Sequence, residues 1–173
     1  MKKLFVFLML LALVSFSIFA TCFDISLSLG QDNYKWWNNG ISFSYGINFG
    51  LSQKVELGFW GISDVVPDPF KSNMFGSDIS ITLLGRRSSG TKVAGTGINT
   101  LLSVGCFYRT DNNGVGPIVS LVPLTVGNPI TGRRERLLKT GIGWDFKNSQ
   151  LVVLFSLLSL DFYVKGTYRD YSY

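Results

Sequence analysis

From Phe23 onward the chain alternates apolar and polar residues with a period of two. Phe23, Ile25, Leu27 and Leu29 take turns with Asp24, Ser26, Ser28 and Gly30, and Ile41, Phe43, Tyr45, Ile47 and Phe49 with Ser42, Ser44, Gly46, Asn48 and Gly50. A short link over 51–54 leads into Val55, Leu57 and Phe59 interleaved with Glu56, Gly58 and Trp60. Ile79, Ile81 and Leu83 alternate with Asp78, Ser80 and Thr82 in the same way. Successive side chains of a strand point to opposite faces, whereas a helix needs apolar spacings of three and four. These stretches therefore predict strands, and further strands are predicted over 93–109, over 118–126, from Leu138 through Thr140, Ile142, Trp144 and Phe146, and from about Leu151.

The intervals carry turn chemistry. Residues 63–77 predict a long connection, because Pro67 and Pro69 cannot donate to a ladder. Residues 85–92 and 128–136 read as polar turns, and Asp111-Asn112-Asn113-Gly114 and Asn148-Ser149 are turn-forming sequences. Residues 151–158 are nearly all apolar, so their two faces merge, and 162–173 continues strand-like. Eight strands are expected, with ten as the alternative.

The first twenty residues have a different pattern. Met1-Lys2-Lys3 precedes an apolar run over 4–19 and then Ala20, the layout of an export leader cut after Ala20. As a helix its sixteen apolar residues would span about 24 Å, short of the roughly 30 Å hydrocarbon core. Cys22 lies just past the cut, but Phe19-Ala20-Thr21 is a poor match to a lipidation signal. The expected organisation is a leader over 1–20 and one domain over 21–173. The mature chain keeps Cys22 and Cys106, placed at different heights of the expected sheet and read as small apolar residues rather than a bridge.

Composition then decides which face points outward. A soluble barrel is apolar inside and polar outside, and a membrane barrel is the reverse. Charged residues make up only 16% of the chain, against about 25% in ordinary soluble domains. The polar face is mostly Ser, Gly, Thr and Asn, groups that fit a crowded interior, and the apolar face is Ile, Leu, Val, Phe and Tyr. Large aromatics also gather near strand ends: Trp36, Trp37, Trp60, Tyr108 and Trp144 at one rim, Tyr171 and Tyr173 at the other. Such rings favour the membrane–water boundary. The expected fold is all-β, an antiparallel up-and-down transmembrane β-barrel. The formal charge of +5 falls to +3 without the two leader lysines, which demands no nucleic-acid partner.

On this pattern and its closing aromatics, Tyr171 and Tyr173, the chain resembles the small bacterial outer-membrane barrels of the OmpA/OmpX-like type. The wording of the short turn over 49–57 resembles that of spirochaetal sequences. The resemblance implies the outer membrane of a Gram-negative-type envelope, lipid and the barrel-insertion machinery as partners, and a structural or surface role. Arg169 departs from the alternation of the last strand.

There is no histidine, which removes every histidine-dependent nucleophilic, general-base or metal arrangement. No catalytic, cofactor or metal site is expected. Asp24, Glu56 and Asp78 are read as lumen acids paired with Arg109 and Lys139 rather than as a two-carboxylate catalyst. Gly85-Arg86-Arg87-Ser88-Ser89-Gly90-Thr91-Lys92 has the wrong order for a phosphate loop, which needs Gly-Lys-Ser/Thr. Arg86-Arg87 and Arg133-Arg134-Glu135-Arg136 read as solvated turn residues, with contact to anionic headgroups as the functional alternative. The connection 63–77, with Phe70, Met74 and Phe75, is the candidate for an extracellular ligand. Two other readings remain: a narrow passive channel along Gly46, Gly58, Gly95, Gly97, Gly141 and Gly143, and a secreted soluble ligand-binding barrel.

Overall fold

The computed structural model describes residues 22–33, 41–52, 54–66, 69–70, 72–85, 97–128 and 133–168. The expected leader, Trp36, Trp37, Tyr171 and Tyr173 lie outside them. Eight strands follow in chain order: β1 (Cys22–Asn33), β2 (Ile41–Gly50), β3 (Val55–Val66), β4 (Asn73–Gly85), β5 (Gly97–Arg109), β6 (Val115–Asn128), β7 (Arg133–Asp145) and β8 (Gln150–Tyr168). Each pairs antiparallel with the next, and β8 pairs with β1, so the sheet closes on itself. The stretch to Tyr168 is the continuation of β8 rather than a ninth crossing.

Two connections are shorter than the sequence suggests. β3 runs on to Val66 and β4 begins at Asn73, so most of 63–77 is ladder, with Asp64 receiving its hydrogen bond from Phe70 across the turn. Met74 is buried inside, while Phe70 is 72% exposed at the tip. Likewise the stretch 133–136, expected as turn, is the first part of β7.

Alternation sets which side chains enter the lumen. Ser26, Asn48, Glu56, Ser80, Ser103 and Ser120 point inward, and Leu27, Phe59, Ile79, Ile81, Val104 and Val119 point outward. Among the described residues, thirty large apolar side chains are exposed and eight are buried, so the sheet has its apolar face outside.

The alternation slips at Leu83-Leu84 near the end of β4, where the pairing with β5 shifts by one residue, and along a line through three later strands. In β6, β7 and β8 two consecutive residues face outward, Pro123-Leu124, Leu137-Leu138 and Leu157-Leu158, and the doublets are aligned because Leu124 pairs with Leu137 and Leu137 with Leu158. Across the line the inward positions change parity, from Val122 to Thr125, from Lys139 to Arg136, and from Ser156 to Ser159. β5 and β1 keep their parity, so one-residue register shifts appear against them, between Asn99 and Leu101 and between Gly30 and Asp32. Leu138 accommodates the change with φ of 57°, outside the usual range for a bulky residue. Pro123 costs no ladder bond here, because the pairing of β6 is interrupted at its level, where its carbonyl accepts from Thr100 Oγ1 at 2.8 Å.

The lumen has two storeys. Toward the ends of the strands away from the termini, Ile62, Met74, Phe107, Ile118, Val152 and Leu154 form an apolar cluster with Trp60 against it. Toward the termini lie Glu56, Arg134, Arg136 and Asp161, all buried.

Candidate functional site

The charged storey is built from three strands. β3 presents Glu56 one residue after its start, β7 presents Arg134 and Arg136, and β8 presents Asp161. In an eight-strand ring β3 and β7 stand on opposite walls, so a contact between them crosses the lumen. Arg134 Nη2 donates to Glu56 Oε2 at 2.7 Å, and Arg134 Nε donates to Asp161 Oδ2 at 2.7 Å. Arg136 repeats the pattern, with Nε to Asp161 Oδ2 at 2.7 Å and Nη2 to Glu56 Oε1. Two guanidiniums and two carboxylates cancel in net charge and tie opposite walls together. Arginine suits this role, since its planar fork serves two acceptors at once and it stays charged when buried.

Above the quartet, Trp60 Nε1 donates to Asp78 Oδ2 at 3.0 Å, and Ser80 Oγ donates to Asp78 Oδ1 at 3.4 Å. Lys139 Nζ lies 5.5 Å from the centre of the Trp60 ring, within cation–π range. Ser80 and Ser103 exchange a hydrogen bond at 2.7 Å.

The five residues expected as one lumen network therefore separate. Glu56 belongs to the quartet, and Asp78 and Lys139 sit together around Trp60. Arg109 ends β5 at the other mouth, where it holds Asp111 at 2.7 Å and stands 4.0 Å from Asp145. Asp145 in turn caps the β7–β8 turn through the backbone N–H groups of Lys147 and Asn148. Asp24 lies near the start of β1, paired in the ladder with Gly50 and Gly166. The network's actual cations, Arg134 and Arg136, lie in a stretch whose sequence suggests solvated turn residues. Counting in twos back from outward-facing Leu138 places them outside, and only the Leu137-Leu138 doublet turns them in. A paired outward Leu-Leu inside a strand is the signal that finds them.

Of the expected aromatic rim, Tyr108 and Trp144 are exposed on the outer face. Trp60 turns inward, because its neighbours Glu56, Gly58 and Ile62 set that face as the lumen side and Asp78 receives its indole N–H. Cys106 is a free thiol on the outer face, 3.6 Å from Ser77 Oγ.

Of the six glycines expected to line a passage, Gly95 lies outside the described residues, and Gly46, Gly58, Gly141 and Gly143 are crowded by neighbouring groups. A Cβ on Gly46 would meet Ser28 Oγ at 2.8 Å, on Gly58 Asp78 Oδ1 at 2.8 Å, on Gly141 Ser120 Oγ at 2.6 Å, and on Gly143 the Phe107 ring at 2.9 Å. Their missing side chains make room for neighbours. Comparison with family models, with curated proteins and with solved structures finds no match to this chain.

Proposed function

We propose that this chain is an integral outer-membrane β-barrel with a structural or surface-interaction role and no catalysis. One observation carries the reading: a closed barrel with its apolar face outside and an ion quartet inside. In water that exterior would be one continuous apolar surface, far beyond the few hundred Å² a soluble protein normally exposes. Hydrocarbon is the medium that suits it, and closure leaves no unpaired strand edge there. The leader-like start expected from the sequence supports export. Lipid and the barrel-insertion machinery are then its partners.

The filled lumen favours a non-conducting barrel over a passive channel, since eight strands enclose an interior that side chains just fill. Surface interaction falls to the mouth opposite the termini, where Phe70, Val65 and Val66 are exposed on the β3–β4 hairpin. The test is refolding into detergent micelles, followed by gel mobility with and without boiling and by far-ultraviolet circular dichroism. A heat-dependent shift with a strand-type spectrum is expected, and planar bilayers containing the refolded protein should stay silent. Recovery of folded protein from the aqueous phase without detergent would overturn the membrane reading.

A further inference from the structure

A closed ring of strands does not by itself stop small ions, so the side chains inside it decide. The two storeys of the lumen fill the bore by opposite chemistry. In the outer storey Ile62 comes from β3, Met74 from β4, Phe107 from β5, Ile118 from β6, and Val152 and Leu154 from β8. The Phe107 ring reaches past β6 to β7, where a Cβ on Gly143 would lie 2.9 Å from it. Six neighbouring strands therefore meet in one apolar layer, with Trp60 against it and seated on Gly76. All six side chains of the layer are buried, and none carries a polar group. An ion entering it would lose its hydration with nothing to replace it, and such constrictions exclude ions by staying dry.

The inner storey fills the bore with charge. Glu56 stands on β3 and Arg134 and Arg136 on the facing wall, so their hydrogen bonds cross from side to side. Together with Asp161 the four charges sum to zero, so an ion of either sign meets no net counter-charge. Passage would also part charge-assisted bonds as short as 2.7 Å. Between the storeys lies a polar band, where Ser80 and Ser103 share a hydrogen bond.

On the membrane reading above, we infer that the lumen is closed twice in series, by a dry seal in the outer storey and an ionic seal in the inner one. Either seal alone holds back small ions. Opening one leaves a blind pocket that reaches the polar band. Opening both makes a conduit, and eight strands limit it to water and small ions.

Serine, which already lines the polar band, serves as the replacement. Met74→Ser with Phe107→Ser wets the outer storey. Glu56→Ser with Arg136→Ser removes one charge of each sign and the bonds from β3 to β7, leaving Arg134 on Asp161. Each pair, and the four together, is placed in a parent with Cys22→Ser, Cys106→Ser and Ser103→Cys, which has one thiol in the polar band. Refolding into micelles is checked by heat-dependent gel mobility. Reaction of the thiol with a charged methanethiosulfonate reagent is followed by mass, and currents are recorded in planar bilayers in potassium chloride. The parent should neither react nor conduct. Each paired variant should react fully through its opened end and still stay silent, and the fourfold variant should react and conduct. Currents from either paired variant would overturn the double closure, because the remaining storey would then hold nothing back. A parent thiol that reacts, a folded paired variant whose thiol stays protected, or a folded fourfold variant that is silent would overturn it equally. Met74→Ala with Phe107→Ala stands in should the serine pair not refold. Without a refolded fourfold variant the paired ones decide: reactive and silent supports the double closure, and any other result overturns it. A parent that does not refold in micelles sinks the membrane reading, and the double closure with it.

Discussion

Arg134 and Arg136 illustrate how much one side chain can demand of its surroundings. Arg134 is fully buried and Arg136 nearly so, and each reaches both Glu56 and Asp161. A charge taken from water needs several hydrogen bonds to offset its lost hydration, and removing one partner leaves the others uncompensated. Glu56→Ala should therefore cost about 3–5 kcal/mol, read as a lower midpoint for urea unfolding in detergent micelles. Glu56→Leu combined with Arg136→Met should cost less than the sum of the two single changes, because it removes charges of both signs together. Unchanged midpoints for the single variants would show that the quartet contributes nothing. Leu138 offers a second residue-scale case. Its φ of 57° strains any side chain that has a Cβ, by roughly 1–2 kcal/mol. Leu138→Gly should be less destabilising than Leu137→Gly by about that amount, measured in the same unfolding series.

At the scale of elements, the outward doublets do what a single residue cannot. A strand that alternates without interruption from Arg133 to Asp145 would place either the arginines or Gly141, Gly143 and Asp145 on the outer face. The doublet in β7 lets both sets face inward, and its neighbours in β6 and β8 slip at the same level so that their ladders stay in register. Deleting Leu138 alone leaves β7 strictly alternating with Arg134 and Arg136 still inward, but puts half of the strand one residue out of step with the aligned doublets of β6 and β8. The expected outcome is loss of the heat-shifted folded band on gels. A folded deletion variant would show that the three doublets need not be aligned. The doublets also explain why the strand expected to start at Leu138 begins at Arg133. Strict alternation was legible in β1 and β2, in β3 up to Trp60 and in β4 up to Leu83, where most inward positions carry Ser, Gly, Asn or an acid, and it failed where two leucines adjoin, at Leu83-Leu84 as well as in β7 and β8.

For the whole molecule, the decisive contrast is between its two surfaces. If the exterior lies in hydrocarbon, an arginine there has no counter-charge, and the cost depends on depth. Val104→Arg, midway along β5, should lower stability in vesicles by about 2–4 kcal/mol, while Phe146→Arg, past the end of β7, should cost about 0–1 kcal/mol. Folding yield into vesicles across a urea series measures both. A barrel standing in water would accept either arginine equally well. The amino-acid order by itself determined the strand class, the antiparallel hairpin rhythm and the apolar-out, small-polar-in division, because these follow from a local period of two and from side-chain chemistry. It also marked Glu56, Asp78 and Lys139 as interior charges. Only the tertiary structure decided that the ring closes at eight strands, that Arg134 and Arg136 answer Glu56, and that the glycines make room for neighbouring groups. Those outcomes depend on what stands opposite each residue across the lumen, and in a closed sheet that partner can be dozens of residues away along the chain.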